Sequence, residues 1–228
     1  MKPIDGLRSG LRLRPLFALL QLASPTLPVG GYAYSQGLEK AIEDGLVRDA
    51  ASARRWIEDL LLLVVTRFEA PLWLRVFDAA ATGDAAAVTA RNGELLAARE
   101  TAELRSEALQ MGASLARVFP VLGIESPSGP VTYPTAFALA CAGLGIDREA
   151  GLAAYLWAWL ENQVLVAVKS VPLGQQAGQS MLFELHEALT LAVAQAAALD
   201  DAELGSAPLQ FALTSARHET QYTRIYRS

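Results

Sequence analysis

The apolar residues Ile57, Leu60, Leu61, Val64 and Phe68 fall at steps of 3, 1, 3 and 4. That spacing lays one stripe along a helix and cannot serve a strand, whose side chains alternate from face to face. A second stripe, Gly178, Leu182, Leu185, Leu189, Ala192 and Ala196, advances by alternating fours and threes. No useful length of two-residue apolar alternation occurs anywhere, and no internal repeat. Alanine and leucine dominate while aromatics make up 7%, a mixture that enters helices cheaply and suits strands poorly. With 52% apolar and 19% charged residues over 228 positions, the chain is not wholly disordered and has enough apolar material for a full core.

Breakers and caps place the elements. A helix opens near Pro15, runs through Leu16, Leu19 and Leu20, and stops before Ser24-Pro25, because a residue preceding proline is pushed out of the helical region. Two prolines and paired glycines then make Ser24–Gly31 a shaped loop. A short helix is expected around 35–44, ended near Gly45. The clear stripe follows with Ser52 as a candidate N-cap, and Pro71 should kink or divide what comes after it. Residues 85–119 read as one or two helices, with Ala108, Gly112 and Ala116 four apart on a face that admits close approach. A proline- and glycine-rich loop spans 123–134. Helices then fit 135–144, 148–168 and 171–199, with Asp147 and Ser170 as candidate caps. The expected fold is all-α: one helical-bundle-like domain, 15–213, of roughly eight to ten helices. A basic mobile tail, 1–14, precedes it and a C-terminal tail, 214–228, follows.

Charge and inventory exclude several functions. Residues 1–14 hold Lys2, Arg8, Arg12 and Arg14 against Asp5, while from Glu149 to Leu213 the one base is Lys169, against seven acids. An acidic body repels a phosphate backbone, so nucleic acid is not an expected partner. The longest unbroken aliphatic run, Leu60–Val65, is far short of a membrane span, and the start lacks the apolar core of a signal peptide. These point to a cytoplasmic protein without membrane contact. One cysteine, Cys141, and two dispersed histidines, His186 and His218, offer no metal site at ligand spacing. The glycines from Gly31 to Gly37 lack the Gly-Lys-Ser/Thr ending of a nucleotide loop, and no Gly-x-Ser-x-Gly elbow is present. No cofactor is expected.

Three segments ask for more than a packing explanation. Ser24–Glu39, SPTLPVGGYAYSQGLE, sets Tyr32 and Tyr34 beside glycines and prolines; a structural loop with tyrosines on the core is the plainer alternative. Lys169–Gln179, KSVPLGQQAGQ, presents neutral amide forks suited to protein contacts, or simply starts a helix with glycines for packing. Ala216–Ser228, ARHETQYTRIYRS, clusters Tyr222, Arg224, Ile225 and Tyr226 in a terminus, and tyrosine and arginine are the side chains that anchor interfaces.

Together these segments resemble the family of the urease accessory protein UreF. LLQLASPTLPVGGYAYSQGLEKA is similar to its N-terminal signature, VPLGQQAGQ to its central one and HETQYTRIYRS to its C-terminal one, in the right order from Leu16 onward. Tyr32 stands where the family often has phenylalanine, a conservative departure. The resemblance implies an all-helical, dimeric, non-enzymatic assembly factor. Its implied partners are UreD (also called UreH), the GTPase UreG and apo-urease, into which nickel is inserted. It nominates Lys169, Pro172, Leu173, Gly174, Gln175 and Gln176 as one partner-facing segment. His218, Glu219, Tyr222, Arg224 and Tyr226 form a second. Pro28, Gly30, Tyr34, Ser35, Gly37 and Glu39 are expected to divide between fold and interface. Two alternatives stay open: a GTPase activator supplying Arg224 to UreG, and a helical enzyme with a small-molecule pocket near the proline–glycine loop.

Overall fold

The computed structural model describes residues 6–205 and 208–228, with side chains from Leu13 onward. Residues 1–5 of the expected basic tail lie outside the described residues. The chain forms α1 (Gly6–Leu22), α2 (Leu38–Glu43), α3 (Ala50–Leu60), α4 (Ala70–Thr82), α5 (Ala85–Ala97) and α6 (Ala102–Ala116). Then come α7 (Phe119–Leu122), α8 (Tyr133–Gly143), α9 (Arg148–Ser170), α10 (Gln175–Glu184), α11 (His186–Ala198) and α12 (Leu209–His218). Among the described residues there is no strand. Counting α3 and α4 as one rod and leaving out the single-turn α7, these make ten helices, the all-α bundle that the periodicity implied.

The rod forms because α3 and α4 are joined without a break by a π-helical stretch, Leu61–Glu69. Pro71 was expected to kink or divide this region. Instead the wide turns end just before it: the Ala70 N–H donates to the Val65 carbonyl five residues back, and Pro71 enters the first turn of α4. The register shift falls where a proline's missing N–H does least harm. Thr66, wholly buried, satisfies its hydroxyl on the Leu61 carbonyl at 2.7 Å.

Other local expectations differ in detail. α1 begins at Gly6 and carries Pro15 inside it. Asp49 caps α3, with Ser52 as the reciprocal member of a capping box. Asp147 caps α9 as expected, accepting from Glu149 and Ala150. Ser170 ends α9 and caps nothing; Gly174 precedes α10, and the expected 171–199 helix breaks at Leu185 into α10 and α11.

α9 is the central helix and packs on α1, α2, α3, α4, α8, α10 and α11. Its Tyr155 joins Trp73, Tyr133 and Phe137 in one aromatic cluster, with ring centroids 5.4–6.3 Å apart. The small face of α6 does what its spacing implied. A Cβ added at Gly112 would stand 2.0 Å from the Val131 carbonyl oxygen, so only glycine lets α6 lie against the entrance to α8. Among the described residues no helix is long and apolar enough to cross a membrane.

Candidate functional site

The N-terminal signature leaves α1 as an irregular segment. Its one helical turn is the 3-10 turn Gly31–Ala33, and its bends sit at Gly30 and Gly37, with φ of 77° and 82°. Between them Tyr34 and Ser35 are buried, while Pro28 stays exposed. Gln36 holds a left-handed φ of 52°, unusual for a side-chain-bearing residue. Both ends of its amide are fixed: its oxygen accepts from the Trp159 indole at 2.7 Å, and its nitrogen donates to Glu107 at 2.6 Å. Asn162 donates to the Tyr34 carbonyl at 3.1 Å, and the Tyr34 hydroxyl donates to Gln110 at 2.9 Å. Helices α6 and α9 thus grip this segment from two sides.

The C-terminal signature lies across it. The expected mobile tail at 214–228 is corrected here. Residues 214–218 belong to α12, with Thr214, Ser215 and His218 buried, and 219–228 are packed on the N-terminal segment. The physical reason is one carboxylate. Glu39, 8% exposed at the start of α2, accepts the main-chain N–H of Ile225 at 2.7 Å and of Tyr226 at 3.0 Å. The Arg227 N–H donates to the Ala33 carbonyl, and the Ser35 N–H to the Ser228 oxygen, each at 2.8 Å. The Ser228 hydroxyl donates to Glu107 at 2.7 Å.

His218 is fully buried at the hub. Its Nδ1 lies 2.7 Å from Glu103 and its Nε2 lies 3.3 Å from Glu39. Arg224 pairs with the other oxygen of Glu103, and Glu219 accepts from the Glu103 N–H at 3.2 Å, tying the segment to the start of α6. Tyr226 is buried, with Ser170 beside its hydroxyl and burial pushing that hydroxyl above its ordinary range. Tyr222 and Ile225 do the opposite: Tyr222 is fully exposed and Ile225 is 77% exposed. The strap is anchored by polar groups and by Tyr226, and offers Tyr222 and Ile225 outward.

The central signature sits at the turn from α9 into α10. Lys169 is exposed and makes no ion pair among the described residues. Pro172, Gly174, Gln175 and Gln176 are exposed, and Leu173 packs half-buried on the core. Gln175, Gly178 and Gln179 meet the N-terminal loop across a cavity of about 360 Å³. Its lining includes Glu69 from the π-helical stretch, Arg99 from the connection between α5 and α6, and Glu107 from α6. Tyr155 donates to Glu69, which pairs with Arg99. Burial opposes the Arg99 charge, yet Glu69 and Tyr155 beside it hold its pKa above the ordinary value. Burial pushes the Glu107 carboxyl up, partly offset by the hydrogen bonds from Ser228 and Gln36. Glu69 is partnered by Tyr155 and Arg99, and Glu107 by Ser228 and Gln36, while the Arg99 Nε has no hydrogen-bond partner among the described residues; no nucleophile–base pair forms. Among the described residues no cluster of His, Cys, Asp and Glu could hold a metal ion.

Sequence reading missed Gln36, Glu103, Glu107 and Trp159. The last three lie on helices whose stripes give no sign of what crosses them; the one available signal was Gln36, inside a signature yet neither apolar nor a turn former.

The family model UreF matches residues 47–186. A urease accessory protein UreF of Azoarcus sp. (strain BH72) is 49% identical over 230 residues, covering 95% of this chain and 97% of the relative. The chain belongs to the UreF family. A UreF of Cupriavidus pinatubonensis (strain JMP 134 / LMG 1197) is 50% identical over 227 residues, with 95% and 99% covered. A bifunctional urease accessory protein UreEF of Bordetella bronchiseptica is 50% identical over 224 residues, or 93% of this chain but 52% of the relative. The family model takes in the central signature only; the two outer signatures, which the fold brings together, lie outside the residues it matches.

Proposed function

We propose that this chain is a non-enzymatic scaffold of urease maturation, working in the cytoplasm as a homodimer. It binds UreD/UreH and recruits the GTPase UreG so that nickel is inserted into apo-urease. The observation that carries this reading is the strap. Glu39 takes the Ile225 and Tyr226 amides, Glu103 pairs with Arg224 and Glu107 accepts from Ser228, while the side chains of Tyr222 and Ile225 stand in solvent. Exposed aromatic and aliphatic side chains on a pre-ordered segment lose little entropy on docking and gain by desolvation. Lys169, Pro172, Gly174, Gln175 and Gln176 form a second exposed surface for a different partner.

The activator reading has less support: Arg224 is engaged by Glu103, an ion pair that an arginine donated to a GTPase would first have to break. The enzyme reading finds its cavity beside the proline–glycine loop, but the ionisable groups there form no nucleophile–base pair. Co-purification with UreD/UreH and UreG, with and without GTP, tests the proposal. A stable assembly containing two copies of this chain is expected. A chain that stays monomeric and retains neither partner would refute it.

A further inference from the structure

The cavity between the N-terminal loop and α10 has an unbalanced inventory. Glu69 and Arg99 cancel as a pair, and Glu107 is held by two neutral donors, Gln36 and Ser228. Glu161 on α9, half-buried in the wall, makes no ion pair or hydrogen bond among the described residues. Burial alone pushes its carboxyl up, and its charge in turn adds to the rise at the Tyr32 hydroxyl. Four aromatic rings line the same space: Tyr32, Tyr133, Tyr155 and Trp159. Carboxylates among aromatic rings attract a cation twice, through its charge and through the negative ring faces. A bare metal ion lacks a convergent donor set here, whereas the apolar remainder, with Leu27 and Met111, suits carbon. About 360 Å³ is within the usual size of a small-ligand site.

We infer that this cavity binds an organic cation: an amidinium, guanidinium or ammonium group on an apolar body, its charge facing Glu161 and its body against the tyrosines. Such a group comes either from a free small molecule or from an arginine or lysine side chain of a docked protein.

The test titrates the full chain with benzamidine, an amidinium on a flat ring, and with benzamide, its neutral counterpart. Benzamidine should bind, with shifts at the Met111 and Leu27 methyl groups in the unmodified protein. Benzamide should bind about tenfold more weakly, the size of effect expected for losing one charge-assisted contact of ~1.4 kcal/mol. Glu161→Gln should weaken benzamidine by a similar factor without weakening benzamide. Equal binding of the two probes, binding of neither, or shifts elsewhere than the cavity would overturn the assignment whether or not the variant folds. Repeating the titration on the assembly with UreD/UreH and UreG separates the sources. Loss of the benzamidine site there identifies a partner's basic side chain, and an unchanged site identifies a free molecule.

Discussion

Glu39 carries the junction between the two outer signatures, and replacing it with glutamine tests that directly. The carboxylate takes the Ile225 and Tyr226 N–H groups on separate oxygens. Glutamine offers one oxygen and one NH2, so one of the two amides must face a donor. A hydrogen bond to a charged group contributes about 1.5–3 kcal/mol, and the lower end applies where the released amide regains water. Ile225 is 77% exposed, so that amide is readily rehydrated. The expected loss is about 2 kcal/mol in the local opening of 219–228, or ~30-fold in its opening constant. Native-state hydrogen exchange should show the Ile225 and Tyr226 amides exchanging faster by that factor. Amides of α8 and α9 should keep their protection, and the thermal transition should barely move. Unchanged exchange at 225 and 226, or cooperative loss of the whole fold, would refute the argument.

Gly112→Ala should cost about 3 kcal/mol or more in urea unfolding, since its Cβ meets Val131 backbone at 2.0 Å and not a yielding side chain. Gly37→Ala should cost about 1–2 kcal/mol from its φ of 82°. Glu107 has its pKa raised by burial, so its contribution to stability is full below the unfolded carboxyl value. That contribution is lost as pH rises through the folded value. Chemical denaturation from acid to neutral pH should show this decline, and Glu107→Gln should flatten it. The Cys141 thiol, pushed up to about 12 by burial, should resist iodoacetamide in the native protein and react once unfolded.

The helices at 50–82 and 133–170 were legible because their stripes face one core and local spacing alone encodes them. Asp147 was legible as a cap for the same reason, and Gly112 as a contact because nothing else in α6 explains three small residues four apart. The π-helical stretch was not legible, since its apolar spacing is indistinguishable from an ordinary helix and Pro71 suggested a break. The strap at 219–228 was misread as mobile because Tyr222, Arg224, Ile225 and Tyr226 resemble a free docking tail. What orders it is Glu39, some 186 residues away in sequence, and no local pattern announces a carboxylate that will receive distant amides. The fold divides the residues of the outer signatures into anchors (Ser35, Glu39, His218 and Tyr226) and presented side chains (Tyr222 and Ile225).

That division decides which perturbation of the strap is informative. Removing residues from 216 onward would take His218 out of the core, so loss of folding would obscure loss of docking. The most direct measurement leaves the anchors in place and substitutes Tyr222→Ala and Ile225→Ala together, then follows assembly with UreD/UreH and UreG by size-exclusion chromatography with light scattering. The account predicts a variant with the circular dichroism and melting of the parent that no longer enters the complex and no longer supports urease activation. A complex of unchanged mass and normal activation would show that the exposed side chains of the strap are not its docking surface.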